Sequence, residues 1–258
     1  MDLRLDGKVA VVLGASRGIG KAIAASLAGE GCRLALCARG AEDLEATAEE
    51  LRSQGTEVMT RPLDVTDEGT VERFVGAVEE QFGTLDVLVG NVGGNRRGAF
   101  DELSLDDWRA IWSLNVESHI RAAHAAVPGM KQRGSGVLLF VASIFGREAG
   151  GAGLSIYNST KSALISMAKI LALELAPHGI RVNTVAPGSI RFPGGSWDRR
   201  CREDPEAMAR FVEDNLPLGR FGHADEVGDV VAFLASERAS LITGTCLNID
   251  GGQSHSLI

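Results

Sequence analysis

A tyrosine and a lysine four residues apart are the first pair in this sequence whose chemistry stands out. The 258-residue chain contains a single tyrosine, Tyr157, and Lys161 follows it about one helical turn later. Residues at this spacing lie on the same face of a helix, so the ammonium group lies near the phenol. A nearby positive charge favours the phenolate and lowers the pKa of the tyrosine from its usual value of about 10. We therefore expect a phenol that gives or takes a proton near neutral pH, as carbonyl–alcohol interconversion requires.

Two further polar residues strengthen this interpretation, because a tyrosine–lysine pair alone is common on protein surfaces. Ser143 ends the apolar run at 136–142, and doubly wound sheets bind ligands where their strands end. Asn115 lies in the middle of a predicted helix, where asparagine is unfavourable unless its amide makes a specific contact. The candidate catalytic residues are therefore Asn115, Ser143, Tyr157 and Lys161.

A glycine-rich segment near the start of the chain is typical of a phosphate-binding turn. Gly14, Gly18 and Gly20 follow the first apolar run and open the first helical pattern. Glycines let the backbone approach a pyrophosphate, and the first N–H groups of the helix attract its negative charge. The segment therefore predicts a dinucleotide site.

The residue after the second predicted strand indicates which dinucleotide to expect. An acid about 20 residues beyond the glycines binds the ribose hydroxyl of NAD, whereas an arginine accommodates the 2′-phosphate of NADP. Here that position is Arg39, preceded by Ala38, and Arg17 in the glycine segment offers a second cation. We predict NADP(H), with NAD(H) as the alternative if both arginines are ordinary surface charges.

Apolar runs and amphipathic stretches alternate along the whole chain. Strands are expected at 8–14, 33–38, 57–62, 85–90, 136–142, 180–186 and 245–250, and helices at 18–30, 41–54, 67–82, 105–131, 156–177 and 224–236. The strands are continuously apolar, which is typical of a parallel sheet covered on both faces. The pattern predicts a single α/β domain over 1–258, a doubly wound, seven-stranded parallel sheet with helices on both faces. Within this domain, 189–223 is rich in glycine, proline and charge, so we expect a lid or substrate loop there.

The composition argues against several other classes of protein. The formal net charge of −8 disfavours nucleic acid or an anionic membrane as the main partner. The apolar runs are shorter than the roughly 18 residues of a membrane span, and the N-terminus lacks the apolar segment of a signal peptide. The four cysteines show neither a CxxC pair nor metal-ligand spacing, so we expect no metal site and no disulfide framework. These features predict a cytoplasmic protein that acts on a small molecule.

The combination of motifs resembles the short-chain dehydrogenase/reductase family over essentially the full length of the chain. Besides the glycine segment and the four candidate catalytic residues, the resemblance rests on LDV at 63–65, GNVGG at 90–94, NTVAPG at 183–188 and IDGG at 249–252. It implies a Rossmann fold, a homotetramer with a dimer as the alternative, and hydride transfer between a nicotinamide and a carbonyl or secondary alcohol. By overall resemblance the nearest members are reductases of β-ketoacyl thioesters on acyl carrier protein.

The resemblance also implies a role for each matching residue. Tyr157 matches the general acid/base, Lys161 the group that lowers its pKa and binds the nicotinamide ribose, and Ser143 the hydrogen-bond partner of the substrate oxygen. Asn115 matches the residue that holds a water of the proton relay. Besides Tyr157, Lys161, the three glycines and the two arginines, the implied cofactor contacts are Ser16, Ile19, Asp64, Val65, Asn91, Val92, Gly93, Pro187, Gly188 and Ile190.

The sequence departs from the family pattern beside the expected substrate pocket. Phe192 stands where the family often has a threonine that hydrogen-bonds the cofactor, so we expect an aromatic ring to close the pocket instead. The side chains expected to contact substrate are Phe145, Leu154, Phe192 and Trp197. Two alternatives stay open: an NAD(H)-dependent alcohol, sugar or steroid dehydrogenase of the same family, and a protein that senses a dinucleotide without turnover.

Overall fold

The computed structural model describes residues 1–257 and shows an α/β fold. The strands are β1 (Val9–Leu13), β2 (Arg33–Ala38), β3 (Val58–Pro62), β4 (Val87–Gly90), β5 (Gly136–Val141), β6 (Ile180–Pro187), β7 (Ile190–Arg191), β8 (Gly222–His223) and β9 (Cys246–Ile249). The α-helices are α1 (Gly18–Gly29), α2 (Ala41–Ser53), α3 (Thr70–Phe82), α4 (Leu105–Trp112), α5 (Ser118–Arg133), α6 (Ser155–Leu175), α7 (Ser196–Glu203), α8 (Pro205–Asn215) and α9 (Ala224–Ala235). A π-helical turn, Ser113–Glu117, joins α4 to α5.

A parallel sheet forms the centre of the fold. Within residues 1–257 it has seven strands in the order β3-β2-β1-β4-β5-β6-β9, which confirms the predicted doubly wound sheet. The chain reverses its direction of winding between β1 and β4, where such sheets leave a crevice for a ligand. The register aligns Leu13 at the end of β1 with Cys37 of β2 and Gly90 of β4. The segments that follow these strands therefore meet at the carboxyl edge of the sheet.

Two apolar layers hold helices against the two faces of the sheet. One layer joins α1, α2 and α9 through buried side chains such as Leu27 and Val231. The other joins α3, α5 and α6 through side chains such as Phe74 and Leu164. Every residue of β1 is buried, which explains why the strands read as continuous apolar runs. Each fully buried side chain of this size contributes about 1.5–3 kcal/mol to folding.

The largest differences from the predicted elements lie at 105–131 and 189–223. The first was predicted as one helix, but the π turn interrupts it and α5 continues to Arg133. The second contains α7, α8 and the short paired strands β7 and β8, so it has more regular structure than a loop. Pro205 at the start of α8 and the carboxylate of Asp204, which accepts the Ala207 N–H at 2.9 Å, are standard signals for a helix start.

Residues 1–257 contain neither a helix that could cross a membrane nor a group of side chains that could hold a metal ion. Each helix there falls short of the length or apolar character that a bilayer crossing needs. The histidine, cysteine, aspartate and glutamate side chains of this part of the chain form no group of three or more that could hold a metal ion.

Candidate active site

The carboxyl edge of the sheet brings the predicted site residues together. Six of the seven strands of the sheet, all but β9, are followed within two residues by a predicted site residue: Gly14, Arg39, Asp64, Asn91, Ser143 and Gly188. Because neighbouring parallel strands end at the same edge of the sheet, the glycine segment and Ser143 both lie at its carboxyl edge. Helix α6 adds Tyr157 and Lys161, and the π turn adds Asn115.

Asn115 is completely buried in the π turn and links three parts of the site. Its carboxamide pairs with the backbone of Gly94: Oδ1 accepts the N–H at 2.8 Å, and Nδ2 donates to the carbonyl at 2.9 Å. Nδ2 also donates to the hydroxyl of Thr160 at 2.9 Å, and that hydroxyl donates to the carbonyl of Tyr157 at 2.9 Å. One amide therefore joins the loop after β4 to the turn of α6 that precedes Lys161. Single π turns of this kind occur frequently at functional sites.

Lys161 places a buried ammonium group beneath the tyrosine. The residue is 3% exposed, and its Nζ donates to the carbonyl of Val141 at 2.8 Å. The same Nζ lies 5.9 Å from the centroid of the Tyr157 ring and would lie 3.1 Å from a Cβ added to Gly93. Burial lowers the pKa of Lys161 to about 8, because the charged form loses its hydration. A side chain at residue 93 would therefore crowd the ammonium group, and the glycine leaves room for it.

Tyr157 and Ser143 face each other across the site. Burial raises the pKa of Tyr157, and a hydrogen bond with the Ser143 hydroxyl acts in the opposite direction. Ser143 is itself buried, and its hydroxyl accepts the Phe145 N–H at 3.2 Å at the start of a short 3-10 turn. In the protein on its own the pKa of this phenol is therefore raised, opposite to the lowered pKa predicted from the sequence, because desolvation has the largest effect.

The glycine segment forms a cradle that larger side chains would fill. A Cβ on Gly20 would lie 2.1 Å from the carbonyl oxygen of Gly14. Helix α1 begins at Gly18, and in the described part of the chain no side chain caps it. Its first N–H groups are therefore available to an anion. Asn91 secures the cradle by donating to the carbonyls of Leu13 and Gly14 at 3.2 and 3.0 Å. The cradle fits the pyrophosphate of a dinucleotide.

The two arginines expected to select the ribose lie exposed at the rim of this cradle. The side chain of Arg39 is 76% exposed, and its guanidinium lies 3.9 Å from the carboxylate of Asp64. That carboxylate accepts the N–H and the hydroxyl of Thr66 at 2.9 and 2.7 Å. Partial burial raises the pKa of Asp64, but the Thr66 hydrogen bonds and the charge of Arg39 outweigh it and lower the pKa. Because so long and exposed an ion pair is weak, Arg39 can turn from Asp64 to a phosphate at little cost.

The predicted substrate contacts lie in different environments. Phe145 and Leu154 both pack around Gly150, in the segment that separates Ser143 from Tyr157. Phe192 instead packs on the glycine segment, where its ring atoms would come within 2.6 Å of a Cβ on Gly18. The Phe192 ring therefore covers part of the cofactor cradle, and its contact with substrate stays a prediction.

Trp197 lies in an aromatic cluster that joins α7 to α8 and β8. Its ring centroid is 4.7 Å from that of Phe211 and 5.2 Å from that of Phe221. The neighbouring Asp198 is buried and pairs with Arg191, which secures the same helix against β7. Trp197 therefore holds the segment 189–223 together, and its contact with substrate stays a prediction.

Sequence reasoning missed two neighbours of Asn115. The hydroxyl of Thr160 accepts a hydrogen bond from the side-chain amide of Asn115. His119 is completely buried and follows Asn115 by about one helical turn. Burial lowers the pKa of His119 to about 3; the charge of Lys161 acts in the same direction, and the backbones of Gly90 and Asn115 oppose it. The available signal was position alone: Thr160 directly precedes Lys161, and His119 follows Asn115 by four residues.

The chain matches known proteins over almost its whole length. A family model described as enoyl-(acyl carrier protein) reductase matches residues 14–254. The 3-oxoacyl-(acyl-carrier-protein) reductase of Thermotoga maritima is 35% identical over 250 residues, covering 97% of this chain and 99% of that protein.

Solved structures agree with these sequence matches. L-sorbose reductase from Gluconobacter frateurii, solved with NADPH and L-sorbose, has a TM-score of 0.94 and 34% identity, with 100% of both chains covered. An NAD+-bound xylitol dehydrogenase has a TM-score of 0.90 and 32% identity, covering 96% of this chain and 100% of the other. With this fold and these relatives, the chain belongs to the short-chain dehydrogenase/reductase family and is an oxidoreductase.

Proposed function

We propose that the protein is an NADP(H)-dependent oxidoreductase that interconverts a carbonyl group and a secondary alcohol, with Tyr157 as its proton donor and acceptor. The observation that carries the proposal is the buried cluster of Asn115, Ser143, Tyr157 and Lys161 beside the glycine cradle. Burying an ammonium group costs free energy, and a protein that only sensed a dinucleotide would have no use for it. The buried lysine therefore favours an enzyme over a sensor.

Each member of the cluster has a task in this reaction. In the reducing direction, Tyr157 donates its proton to the carbonyl oxygen, and the Ser143 hydroxyl hydrogen-bonds the same oxygen. Lys161 stabilises the phenolate that remains, and Asn115 holds the turn of α6 that carries both residues. When bound, a nicotinamide dinucleotide supplies the hydride and, once oxidised, a positive charge that lowers the pKa of the phenol.

The preference for NADP(H) follows from the two exposed arginines. Arg39 and Arg17 are both exposed beside the cradle, and Arg39 can exchange its weak pairing with Asp64 for a charge-assisted hydrogen bond to a 2′-phosphate. The solved relatives bind either dinucleotide, since the sorbose reductase was solved with NADPH and the xylitol dehydrogenase with NAD+. The remaining cofactor contacts proposed from the sequence lie at the same edge of the sheet: Ser16, Ile19, Val65, Asn91, Val92, Gly93, Pro187, Gly188 and Ile190.

Two substrate classes have support. β-Ketoacyl thioesters are favoured by the similarity to the Thermotoga reductase, and keto-sugars by the similarity to the sorbose reductase. The cations of the segment 189–223 do not add weight to an anionic carrier, because Arg191 and Arg202 both pair with Asp198. We propose that this segment acts as a lid over Phe145 and Leu154.

We also propose that the protein assembles as a homotetramer. Large apolar side chains are exposed on two parts of the surface, one on α4 to α6 and the other on β9. They are Leu105, Trp112, Ile120, Ile170 and Leu173 in the first part and Leu247 in the second. A partner on each of these two parts would give two separate contacts, which build a tetramer, whereas one contact builds a dimer. Light scattering distinguishes the two.

The test follows NADPH and NADH consumption over a panel of simple ketones, β-ketoacyl thioesters, keto-sugars and quinones. We expect turnover with NADPH on at least one carbonyl substrate and a loss of about a thousandfold or more in Tyr157→Phe. Turnover that survives in Tyr157→Phe would show that the proton donor is another group. Tight NADPH binding without turnover on the whole panel would favour the sensor.

A further inference from the structure

The segment 144–154, which separates Ser143 from Tyr157, is held from outside by the C-terminal part of the chain. At its start, the guanidinium of Arg147 donates to the carbonyl of Cys246 at 3.0 Å and to the Asn248 side-chain oxygen at 2.7 Å. Both partners belong to β9, the last strand of the sheet. This pair of hydrogen bonds attaches the segment to the sheet edge.

The neighbouring Glu148 makes a second attachment, in two directions. Its Oε2 accepts the hydroxyl of Ser254 at 3.1 Å and the N–H of His255 at 2.9 Å. Its backbone carbonyl accepts the side-chain amide of Asn158 at 2.8 Å, and Asn158 directly follows Tyr157. Glu148 therefore connects the helix that carries the tyrosine to the end of the chain.

The C-terminal turn is anchored in its own right. The carboxylate of Asp250 accepts the N–H of Ser254 at 2.9 Å, and the side-chain oxygen of Gln253 accepts the N–H of Ser189 at 2.8 Å. Ser189 lies at the root of the segment 189–223. One turn, 250–255, thus joins the two walls between which a substrate would lie.

The segment 144–154 needs such attachments because of its composition. It contains glycines at 146, 150, 151 and 153, and glycine loses more backbone freedom on ordering than any other residue. Two of them, Gly151 and Gly153, have φ values of +96° and +80°, and neither carries a side chain that could pack against a neighbour. Hydrogen bonds to a carboxylate are stronger than those between neutral groups, so the contacts of Glu148 are suited to holding this segment in place.

We propose that Glu148 is a positioning residue for the reaction: it clamps the C-terminal turn and thereby sets where the segment 144–154 presents Phe145 and Leu154 to the substrate. The inference rests on the proposed function, since it concerns the substrate side of the same site. The glycine cradle lies on other strands, so the clamp leaves it unchanged. The proposed cofactor contacts Gly188 and Ile190 flank Ser189, which the same turn holds, so the clamp acts mainly, though not solely, on the carbonyl substrate.

The first test compares Glu148→Ala with Glu148→Gln. The alanine variant loses the acceptor, and we expect kcat/KM for the carbonyl substrate to fall about tenfold while the Kd for NADPH stays within about twofold. The glutamine variant keeps a side-chain oxygen that accepts both donors, and it should restore most of the loss. Glu80→Ala, which removes an exposed carboxylate on α3, is the control.

A second pair of variants probes the other side of the clamp. His255→Pro removes the backbone N–H that Glu148 accepts, whereas His255→Ala keeps it and changes only an exposed side chain. We expect the proline variant to resemble Glu148→Ala and the alanine variant to resemble the wild type. Combined with Glu148→Ala, the proline substitution should add little, because both remove the same contact.

Amide hydrogen exchange of the NADPH-bound protein measures the clamp without any turnover. We expect faster exchange within 144–154 in Glu148→Ala and His255→Pro, and unchanged exchange in the glycine segment. If the wild type shows no turnover but exchange responds in this way, the proposed function fails and the clamp stands. Unchanged exchange and unchanged kcat/KM in Glu148→Ala, or an equal loss in Glu148→Gln, would overturn the clamp.

Discussion

The catalytic cluster and the ribose-selecting rim lie at the same edge of the sheet but are built in different ways. In the cluster, Asn115 and Lys161 are buried, and their polar groups are committed to Gly94, Thr160 and Val141. At the rim, the side chain of Arg39 is exposed, and its contact with Asp64 is long at 3.9 Å.

The difference follows from what each region must do. Proton transfer depends on groups that are in place before the substrate arrives, and burial with complete hydrogen bonding provides this. Recognition of a phosphate tolerates side chains that become ordered on contact, because the attraction between charges is long-ranged. Substitutions in the cluster should therefore change both turnover and stability, whereas substitutions at the rim should change only the choice of dinucleotide.

The largest effect is expected from Lys161→Met. Turnover should fall by more than about a hundredfold, since the phenolate loses its positive neighbour. The unliganded variant should nevertheless gain stability at pH 7, because a methionine replaces a buried ammonium group.

The pH dependence of the free energy of unfolding separates the effect of the Lys161 charge from the other effects of Lys161→Met. Between the folded-state pKa of about 8 and the unfolded value of about 10.4, the unfolded chain binds more protons at Lys161 than the folded one. The wild type therefore carries its full penalty, about 3 kcal/mol, below pH 8 and loses it as the pH rises to about 10.4. Denaturant unfolding should show that the difference in free energy of unfolding between variant and wild type is smaller at pH 10.5 than at pH 7. If this difference in free energy of unfolding did not change with pH, the ammonium group would be hydrated in the folded state.

Asn115→Ala should have the next largest effect. It leaves the N–H and carbonyl of Gly94 without their partner, and we expect the free energy of unfolding to fall by about 2–4 kcal/mol, together with turnover. Chemical denaturation and steady-state rates measure the two losses. Asn95→Ala, at an exposed neighbouring position, should stay within about 0.5 kcal/mol of the wild type. If Asn115→Ala lost turnover but kept full stability, substitutions in the catalytic cluster would not change both properties together, and the contrast between cluster and rim would be wrong.

His119→Phe tests whether the buried region extends beneath the cluster. His119 has a folded-state pKa of about 3, so the unfolded chain takes up its proton near pH 6.5 and the folded chain does not. The wild type should lose stability at this residue as the pH falls below about 6.5. The variant should therefore gain about 2 kcal/mol relative to the wild type between pH 7.5 and pH 5. Urea unfolding at both pH values measures the change, and a difference between variant and wild type that stays constant with pH would contradict the prediction.

Arg39→Ala should have the smallest effect and the most selective one. We expect the Kd for NADPH to rise about tenfold while the Kd for NADH and the free energy of unfolding stay unchanged, because the ion pair with Asp64 is exposed. Fluorescence titration with both dinucleotides measures the ratio. Arg61→Ala removes another exposed arginine nearby and is the control. Equal weakening of both dinucleotides would show that Arg39 does not select between them, and tighter binding of NADH than of NADPH by the wild type would favour NAD(H) as the cofactor.

Local pattern was sufficient for the frame of the molecule. The strands of the sheet were predictable because strands buried on both faces are continuously apolar, as all five residues of β1 show. The start of α1 at Gly18 was predictable because glycines directly after a strand are typical of a phosphate-binding turn that opens a helix. The position of Tyr157 and Lys161 on one face of α6 was predictable because four residues make about one helical turn.

Contacts between distant parts of the chain left no comparable trace. The amide of Asn115 reaches Thr160 across 45 residues, and Glu148 reaches Ser254 across 106. The π turn that carries Asn115 has no spacing signature, and a phenylalanine that covers Gly18 looks in the sequence like one that lines a pocket. Such pairings depend on how the helices pack, which spacing along the chain does not record.

The sequence by itself determined the doubly wound sheet, the glycine cradle, the family and the identity of the candidate catalytic residues, because each depends on residues close together in the chain. The tertiary structure decided the electrostatics of the site. The sequence predicted a lowered pKa for Tyr157 from one neighbouring charge, but folding removes water from both Tyr157 and Lys161, and this desolvation raises the first pKa and lowers the second. Burial is a property of the whole packed chain, and so is the C-terminal clamp on the segment 144–154.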